Sequence, residues 1–132
     1  MVTDPIGDFI IRLKNAGNTG KESVAVPFSK MKMAVAELLS TKGFVGEVSK
    51  KNKGEIARTI NVNLLYESDG RPRISDVKRI SKPSRRLYEK SKEIKKYRHG
   101  FGMAVLSTPK GVMADTDAKK ENLGGELLFT IW

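Results

Sequence analysis

The sequence predicts an α+β fold of two small packed domains: an N-terminal α/β domain over residues 1–67 and a mostly β C-terminal domain over residues 73–132. The first half carries helix, strand, helix, strand and strand patterns in that order. Residues 68–72 (Ser, Asp, Gly, Arg, Pro) then indicate a linker. After the linker, strand patterns dominate and one short helix is expected. A chain of 132 residues can form two such units.

Two helices are expected in the N-terminal domain. Asp4 followed by Pro5 is typical of an N-cap and a first helical residue. Apolar residues then repeat at helical spacing, and the pattern fades at residues 15–18. Ser29 is expected to cap the second helix, which Gly43 ends. Its apolar face is predicted to contain Met31, Ala34, Val35, Leu38 and Leu39.

Three strands are expected beside these helices. Residues 23–27 form the first. Residues 44–51 and 57–66 form a hairpin joined by residues 52–54, whose Asn, Lys and Gly favour a turn. In the second arm of the hairpin, apolar residues alternate with Thr and Asn, so one face of this strand is expected to be buried.

Strand patterns recur in the C-terminal domain. Three extended segments are expected there: residues 74–80, 85–90 and 101–106. The last of them is apolar throughout, which indicates a buried strand. Residues 126–132 form the final strand, with Leu127, Phe129 and Ile131 expected on one face.

Two other segments of this domain lack a strand pattern. Residues 93–99 are basic and indicate a loop or a single helical turn. Asp115 or Thr116 is expected to cap a short helix that ends at Gly124 and Gly125.

Positive charge is concentrated in one part of the chain. The protein has 25 Lys and Arg residues against 15 Asp and Glu residues, a formal net charge of +10. Residues 71–110 contain 13 basic and 3 acidic residues, so this segment accounts for the whole excess. Clustered cations release condensed counterions when they contact phosphates, which favours a nucleic-acid-binding surface. A solvated segment that only aids solubility is the alternative.

Composition argues against several other classes of protein. The sequence has no cysteine, so disulfides and thiolate sites are excluded and a cytoplasmic location is expected. We expect no membrane span and no secretory signal, because long apolar stretches are missing. His99 is the one histidine and has no companion at metal-ligand spacing, so no metal is expected. Motifs for a cofactor or a small-molecule substrate are missing too.

The segment of Ser107, Thr108, Pro109, Lys110 and Gly111 is the main candidate for RNA recognition. It is expected at the surface, between a buried strand and a short helix. Its hydroxyls can bond to sugar and base edges, its lysine can bind phosphate, and its glycine permits close approach. An ordinary turn that carries a lysine explains the same residues equally well.

The same segment also matches S-x-x-K, a nucleophile motif of penicillin-binding enzymes. In those enzymes the motif begins a helix, whereas Pro109 and Gly111 disfavour one here. The companion motifs S-D-N and K-T-G are missing from the sequence. The sequence therefore favours a binding protein over an acylating hydrolase.

A second candidate group combines cations with an aromatic residue. Arg85 and Arg86 are expected on opposite sides of an extended chain, so one of them faces RNA. Tyr88 can stack on an unpaired base, a contact that contributes about 1–3 kcal/mol. Packing of Tyr88 at a sheet edge is the alternative.

Residues 100–115, GFGMAVLSTPKGVMAD, resemble the signature G-x-G-[IM]-A-[VI]-[LV]-S-T-S-K-G-[VI]-[ML]-x-D of a known family, the eighth small-subunit ribosomal protein of bacteria. Four shorter motifs are similar to that family as well: residues 4–6, 79–83, 86–88 and 124–126. These motifs keep the family's order and spacing, and the resemblance extends over essentially the whole chain.

The resemblance implies a structural protein of the small ribosomal subunit that binds the central domain of 16S-type rRNA directly, early in assembly, beside neighbouring small-subunit ribosomal proteins. It implies that residues 107–111 insert at the distorted core of an rRNA helix. Pro109 replaces the family's second serine, so one hydroxyl is lost. Some members also bind the mRNA of their own operon, and a free translational repressor is therefore the alternative function.

Further residues of the predicted RNA-binding set come from the same resemblance. Tyr88 and Glu126 match positions that support or touch RNA, and Lys30 matches a contact from the N-terminal domain. Asp4 and Gly125 belong to the matched motifs and complete the set.

Overall fold

The computed structural model describes residues 4–54, 56–83, 85–90 and 102–132. The elements in chain order are α1 (Pro5–Asn18), β1 (Ser23–Pro27), α2 (Lys30–Thr41), β2 (Val45–Lys53), β3 (Ile56–Leu64), β4 (Val77–Arg79), β5 (Tyr88–Glu89), β6 (Met103–Thr108), β7 (Gly111–Ala114), α3 (Asp115–Lys120) and β8 (Gly125–Ile131). The predicted α+β class is confirmed. The predicted basic loop at residues 93–99 lies outside the described residues, as does Phe101. None of the helices in the described part of the chain is long and apolar enough to span a membrane.

Helix α1 begins as the sequence predicts. The Asp4 carboxylate accepts a hydrogen bond from the Gly7 N–H at 3.2 Å, and Pro5 is the first helical residue. The apolar stripe of the helix is buried, including Phe9, Ile10 and Leu13. The cap and the stripe together fix where the helix starts and which side faces the core.

Helix α2 also begins at its predicted cap, where Ser29 accepts a hydrogen bond from the Lys32 N–H at 3.1 Å. The predicted apolar face is wrong in part, because Met31 is exposed whereas Ala36 is fully buried. The buried stripe runs through Val35, Ala36 and Leu39, so the helix is rotated by about one position from the prediction. The small Ala36 side chain fits this closely packed side of the helix.

The first sheet has the strand order β1-β3-β2 and is antiparallel. The bounds predicted for β1 are confirmed, and β2 and β3 form the predicted hairpin. Its predicted turn at residues 52–54 is wrong in part, because Asn52 and Lys53 pair with β3 and belong to β2. Ile60 and Val62 lie on its buried face, as the alternation predicts. Near the turn of the hairpin, Lys51 pairs with Thr59 and Asn52 pairs with Ala57, so Arg58 is the extra residue of a β-bulge.

The second sheet has the order β4-β8-β6-β7, and β5 also pairs with β8. Strand β4 is shorter than the predicted segment 74–80. The cause lies at the end of the chain, where the N–H groups of Ser75 and Asp76 both donate to the Trp132 carbonyl oxygen, at 2.6 and 3.0 Å. Two N–H groups that converge on one acceptor cannot continue a regular ladder.

A bulge in β8 overturns the predicted face of that strand. Phe129 pairs with Val105 but Leu127 pairs with Leu106, so Leu128 is an extra residue. The extra residue reverses the alternation of side chains. Phe129 and Ile131 therefore join the main core, whereas Leu127 packs in the smaller cluster on the other face of the sheet.

The short helix α3 differs from the prediction at both ends. Its N-cap is Ala114, which makes no side-chain capping bond, so neither Asp115 nor Thr116 is the cap. The helix ends at Lys120, before the predicted glycines, and Asn122 follows with a positive φ of 55°. Asparagine tolerates this left-handed conformation better than most residues do.

One main hydrophobic core joins the two halves of the sequence. Phe9 and Val35 from the first half belong to the same buried cluster as Val105 and Phe129 from the second. A smaller cluster under α3 contains Ala104, Leu106, Ala118 and Leu127. Helices α1 and α2 therefore cover one side of the second sheet, and α3 covers the other. The domain boundaries at residues 67 and 73 remain a prediction.

Candidate RNA interface

The predicted recognition segment forms the end of a β-hairpin. Strands β6 and β7 pair through Thr108 and Gly111, which leaves Pro109 and Lys110 as the two residues of the turn. Gly111 has a φ of +111°, a conformation that suits glycine. The expectation of a loop between a strand and a helix is corrected here, because strand β7 intervenes. We call residues 107–111 the hairpin tip.

Thr108 holds the hairpin tip together from within. Its hydroxyl donates to the Gly111 carbonyl oxygen at 2.7 Å and accepts from the Lys110 N–H at 3.2 Å. The residue is 8% exposed. Of the two hydroxyls predicted to contact RNA, that of Thr108 is thus engaged in the turn. Ser107 is half-buried, and Pro109, Lys110 and Gly111 are exposed.

Three predicted residues lie side by side across three strands. Tyr88 of β5 pairs with Glu126 of β8, and Glu126 pairs with Ser107 of β6. Residues directly opposite each other in antiparallel strands project to the same face. The Tyr88 side chain is 67% exposed at the edge of the sheet, so its ring is open to stacking. We call these three residues the cross-strand row.

The Glu126 carboxylate is held by two partners. Ser81 donates its hydroxyl to Oε2 at 2.6 Å, and Arg86 donates from Nη1 to Oε1 at 3.2 Å. Ser81 is fully buried and also accepts the Leu87 N–H at 3.1 Å. Sequence reasoning missed Ser81, although it lies within the matched motif at residues 79–83. The carboxylate therefore fixes the segment that carries Arg86 and Tyr88.

Gly125 belongs to the site through packing. A Cβ at this position would lie 2.1 Å from the Ser107 carbonyl oxygen, so only glycine lets β8 approach the end of β6 so closely. The contact accounts for Gly125 without any bond to RNA.

The exposed cations near the hairpin tip have different surroundings. Arg86 turns toward Glu126, while Arg85 is exposed and its backbone pairs with that of Lys82. The Lys110 Nζ lies 3.9 Å from the Glu121 carboxylate, and both side chains are largely exposed. Such a long, solvated pair is weak and can yield to a phosphate. Sequence reasoning did not identify Glu121.

Asp4 makes structural contacts. Its carboxylate caps α1 and accepts hydrogen bonds from Arg79 at 3.0 to 3.3 Å. Partial burial alone would raise the pKa of Asp4, but the hydrogen bonds from Arg79 and Gly7 and the charges of Arg79 and Lys82 lower it. An ionised carboxylate in these contacts favours a scaffold role over contact with phosphate.

A groove of about 260 Å³ connects the two halves of the predicted site. Ser29 and Met31, at the start of α2, line one side, and Arg86 and Glu126 line the other. Lys30, the predicted contact of the N-terminal domain, is exposed between Ser29 and Met31. The groove therefore brings the start of α2 beside the cross-strand row.

Part of the basic segment serves the fold itself. Arg71 pairs with Asp69, Arg73 with Glu67 and Arg79 with Asp4. The cations among residues 91–101, including those of the predicted basic loop, lie outside the described residues, as does His99. Within the described part of the chain, no three His, Cys, Asp or Glu side chains are grouped closely enough to hold a metal ion.

Comparison with known proteins identifies the family. The model of the family described as ribosomal protein S8 matches residues 4–132. The chain is 44% identical over 130 residues to small ribosomal subunit protein uS8 of an Anaeromyxobacter species, covering 98% of each chain. Proteins of the same name from Chloroflexus aggregans and Ruegeria pomeroyi are 42% and 40% identical over 131 residues, with at least 98% of each chain covered. The chain, with its hairpin tip and cross-strand row, belongs to the ribosomal protein S8 family.

Proposed function

We propose that this protein is a structural, non-catalytic component of the small ribosomal subunit in the cytoplasm, and that it binds folded rRNA through the hairpin tip and the cross-strand row. The observation that carries the proposal is the alignment of Tyr88, Glu126 and Ser107 on one face beside an exposed turn. Membership of the family supports the ribosomal role.

The geometry suits recognition of RNA shape. The turn bonds of Thr108 make the hairpin tip rigid, so little conformational entropy is lost when it enters an irregular groove. The Lys110 ammonium can bind phosphate, Ser107 can bond to a sugar or base edge, and the Tyr88 ring can stack on a base. Arg86 and Ser81 offset the Glu126 carboxylate, which would otherwise repel the RNA backbone.

The proposal extends to the kind of RNA and the neighbours. We assign the central domain of 16S-type rRNA as the target, with other small-subunit ribosomal proteins beside it, because the signature around the hairpin tip resembles that of the family. The mRNA of the protein's own operon is the second candidate, since an RNA that mimics the same rRNA shape would fit the same surface.

The S-x-x-K hydrolase is not supported as a function. Ser107 lies in strand β6, Lys110 lies in a turn, and the Lys110 ammonium is near Glu121. A lysine so placed is solvated and carries no arrangement that would activate a serine.

The test is a filter-binding assay with an isolated central-domain rRNA fragment. We expect specific binding by the wild-type protein and a weakening of about 5- to 150-fold in Tyr88→Ala, since one stacked base contributes about 1–3 kcal/mol. Leu65→Ala, which also shortens an exposed apolar residue, is the control and should bind normally. Equal binding to an unrelated RNA of the same length would contradict the proposal, and preferential binding to the operon mRNA would favour the repressor.

A further inference from the structure

We propose that Lys32, Lys50 and Arg58, which contact Pro27 or Phe28 at one end of the first sheet, form a second phosphate-binding surface that holds the RNA backbone away from the hairpin tip. We call these three cations the Phe28 cluster. The inference rests on the proposed function and adds a contact that lies outside the basic segment 71–110.

The fold produces this cluster from residues 1–70, whose 10 basic and 8 acidic residues give a net charge of only +2. Several carboxylates of that half are neutralised elsewhere: Asp4 by Arg79, Asp8 by Arg12, Glu67 by Arg73 and Asp69 by Arg71. Among the described residues, no carboxylate lies within ion-pairing distance of any cation of the Phe28 cluster. Local positive charge therefore accumulates at one end of the first sheet, in a part of the chain whose overall excess is small.

Specific contacts place the ammonium groups of Lys50 and Lys32 and the backbone of Arg58 at one short segment. The Lys50 Nζ lies 5.9 Å from the centre of the Phe28 ring. The Arg58 carbonyl oxygen accepts the Phe28 N–H at 3.0 Å, and the bulge at Arg58 redirects the local chain. The Lys32 Nζ donates to the Pro27 carbonyl oxygen at 3.2 Å. The two ammonium groups and the backbone of Arg58 are thus held at Pro27 and Phe28, where β1 leads into α2.

The cluster continues the proposed RNA surface. Phe28 directly precedes Ser29 and Lys30, and Ser29 lines the groove that leads to Arg86 and Glu126. An RNA strand that leaves the cross-strand row along this groove reaches the start of α2 and then the cluster. Three cations that have no acidic partner among the described residues suit successive phosphates, because each contact releases counterions.

The first experiment measures the salt dependence of rRNA binding for a variant carrying Lys32→Gln, Lys50→Gln and Arg58→Gln. We expect the slope of log K against log salt to become shallower by about 2 to 3, since each phosphate contact contributes about 0.7 to 0.9. The matched control carries Arg12→Gln, Lys21→Gln and Lys120→Gln, which remove the same charge from exposed sites outside both the Phe28 cluster and the basic segment 71–110. Its slope should change by less than about 1. Equal slopes in the two variants would overturn the proposal.

The second experiment locates the RNA. The sequence contains no cysteine, so Lys50→Cys creates a unique site for a tethered hydroxyl-radical source. We expect rRNA cleavage at nucleotides different from those cut from Lys110→Cys. Absence of cleavage from position 50 would overturn the proposal. A triple variant that binds rRNA normally but fails to enter small subunits would also overturn it, because the cluster would then contact a protein. Failure of the wild-type protein to bind rRNA would instead contradict the proposed function.

Discussion

Ser81 is a single hydroxyl on which the arrangement of the cross-strand row depends. It donates to Glu126 and accepts from the Leu87 N–H, and it has no exposure to solvent. Its removal leaves the buried Leu87 N–H without its acceptor and takes one of two hydrogen-bond partners from the largely buried Glu126 carboxylate. Each such loss typically costs about 1–3 kcal/mol. The residue is therefore a positioning residue, which acts on RNA through Arg86 and Tyr88.

We expect Ser81→Ala to lower the free energy of unfolding by about 1–3 kcal/mol and to weaken rRNA binding without changing its salt slope, since no phosphate contact is lost. Urea denaturation and filter binding measure the two effects. Thr130→Val is the matched control, because the Thr130 hydroxyl is equally buried but makes no hydrogen bond. An Ser81→Ala variant with normal affinity for rRNA would refute the positioning role.

At the scale of elements, the β6–β7 hairpin shows what the sequence could and could not reveal. The apolar run predicted a strand at residues 101–106, which overlaps β6 but ends two residues too early, because Ser107 and Thr108 still pair with β7. Asp4 and Ser29 correctly predicted the starts of both long helices. Strand β7 was missed because residues 111–114 are too few to show a period-2 pattern. The hairpin is defined by pairing with β6, which is a tertiary property.

Two further errors have the same origin in long-range pairing. The bulge at Leu128 moves Leu127 to the opposite face, and the convergence of two N–H groups on Trp132 shortens β4. No local pattern encodes either feature. The candidate site follows the same rule: its residue types were recognisable, but Ser81 and the Phe28 cluster emerge only when distant segments meet.

The rigidity of the hairpin tip leads to a prediction about Thr108. Replacing it by valine removes both turn bonds, so we expect Thr108→Val to lower the free energy of unfolding by about 1–3 kcal/mol and to weaken rRNA binding at every salt concentration. Thr108→Ser keeps the hydroxyl and should restore most of the affinity. Filter binding at several salt concentrations, with thermal unfolding beside it, is the measurement. Equal behaviour of the two variants would show that the hydroxyl does not order the turn.

For the whole molecule, the contact between Asp4 and Arg79 joins the start of the chain to the second sheet. Arg79 donates to the Asp4 carboxylate and also, from Nη1, to the Leu128 carbonyl oxygen at 2.5 Å. Both side chains are mostly buried: that of Asp4 is 25% exposed and that of Arg79 is 13% exposed. Because the groove to the cross-strand row passes between the same segments, this ion pair also helps to set the relative position of the two parts of the RNA surface.

The lowered pKa of Asp4 gives this contact a pH dependence of known sign. The pKa is lower in the folded protein than its ordinary value of 3.8, so the ionised carboxylate stabilises the fold fully above 3.8 and the stabilisation is lost as pH falls through the folded pKa. Asp4→Asn keeps a helix cap but removes the charge. We expect the variant to be less stable than wild type at about pH 6, with the difference shrinking toward about pH 2.

Urea denaturation at several pH values measures this difference. Exposed Asp69 and Asp76 also have lowered pKa values, Asp69 through the Arg71 N–H and Asp76 through Lys14, so the wild-type protein loses stability in acid for more than one reason. Comparison with Asp4→Asn isolates the contribution of Asp4 to the pH dependence of the free energy of unfolding. Asp69→Asn serves as the control, because the Asp69–Arg71 ion pair is solvated and joins residues that are close in sequence. A stability difference between wild type and Asp4→Asn that stayed constant down to about pH 2 would mean that the ion pair does not link the two halves through charge.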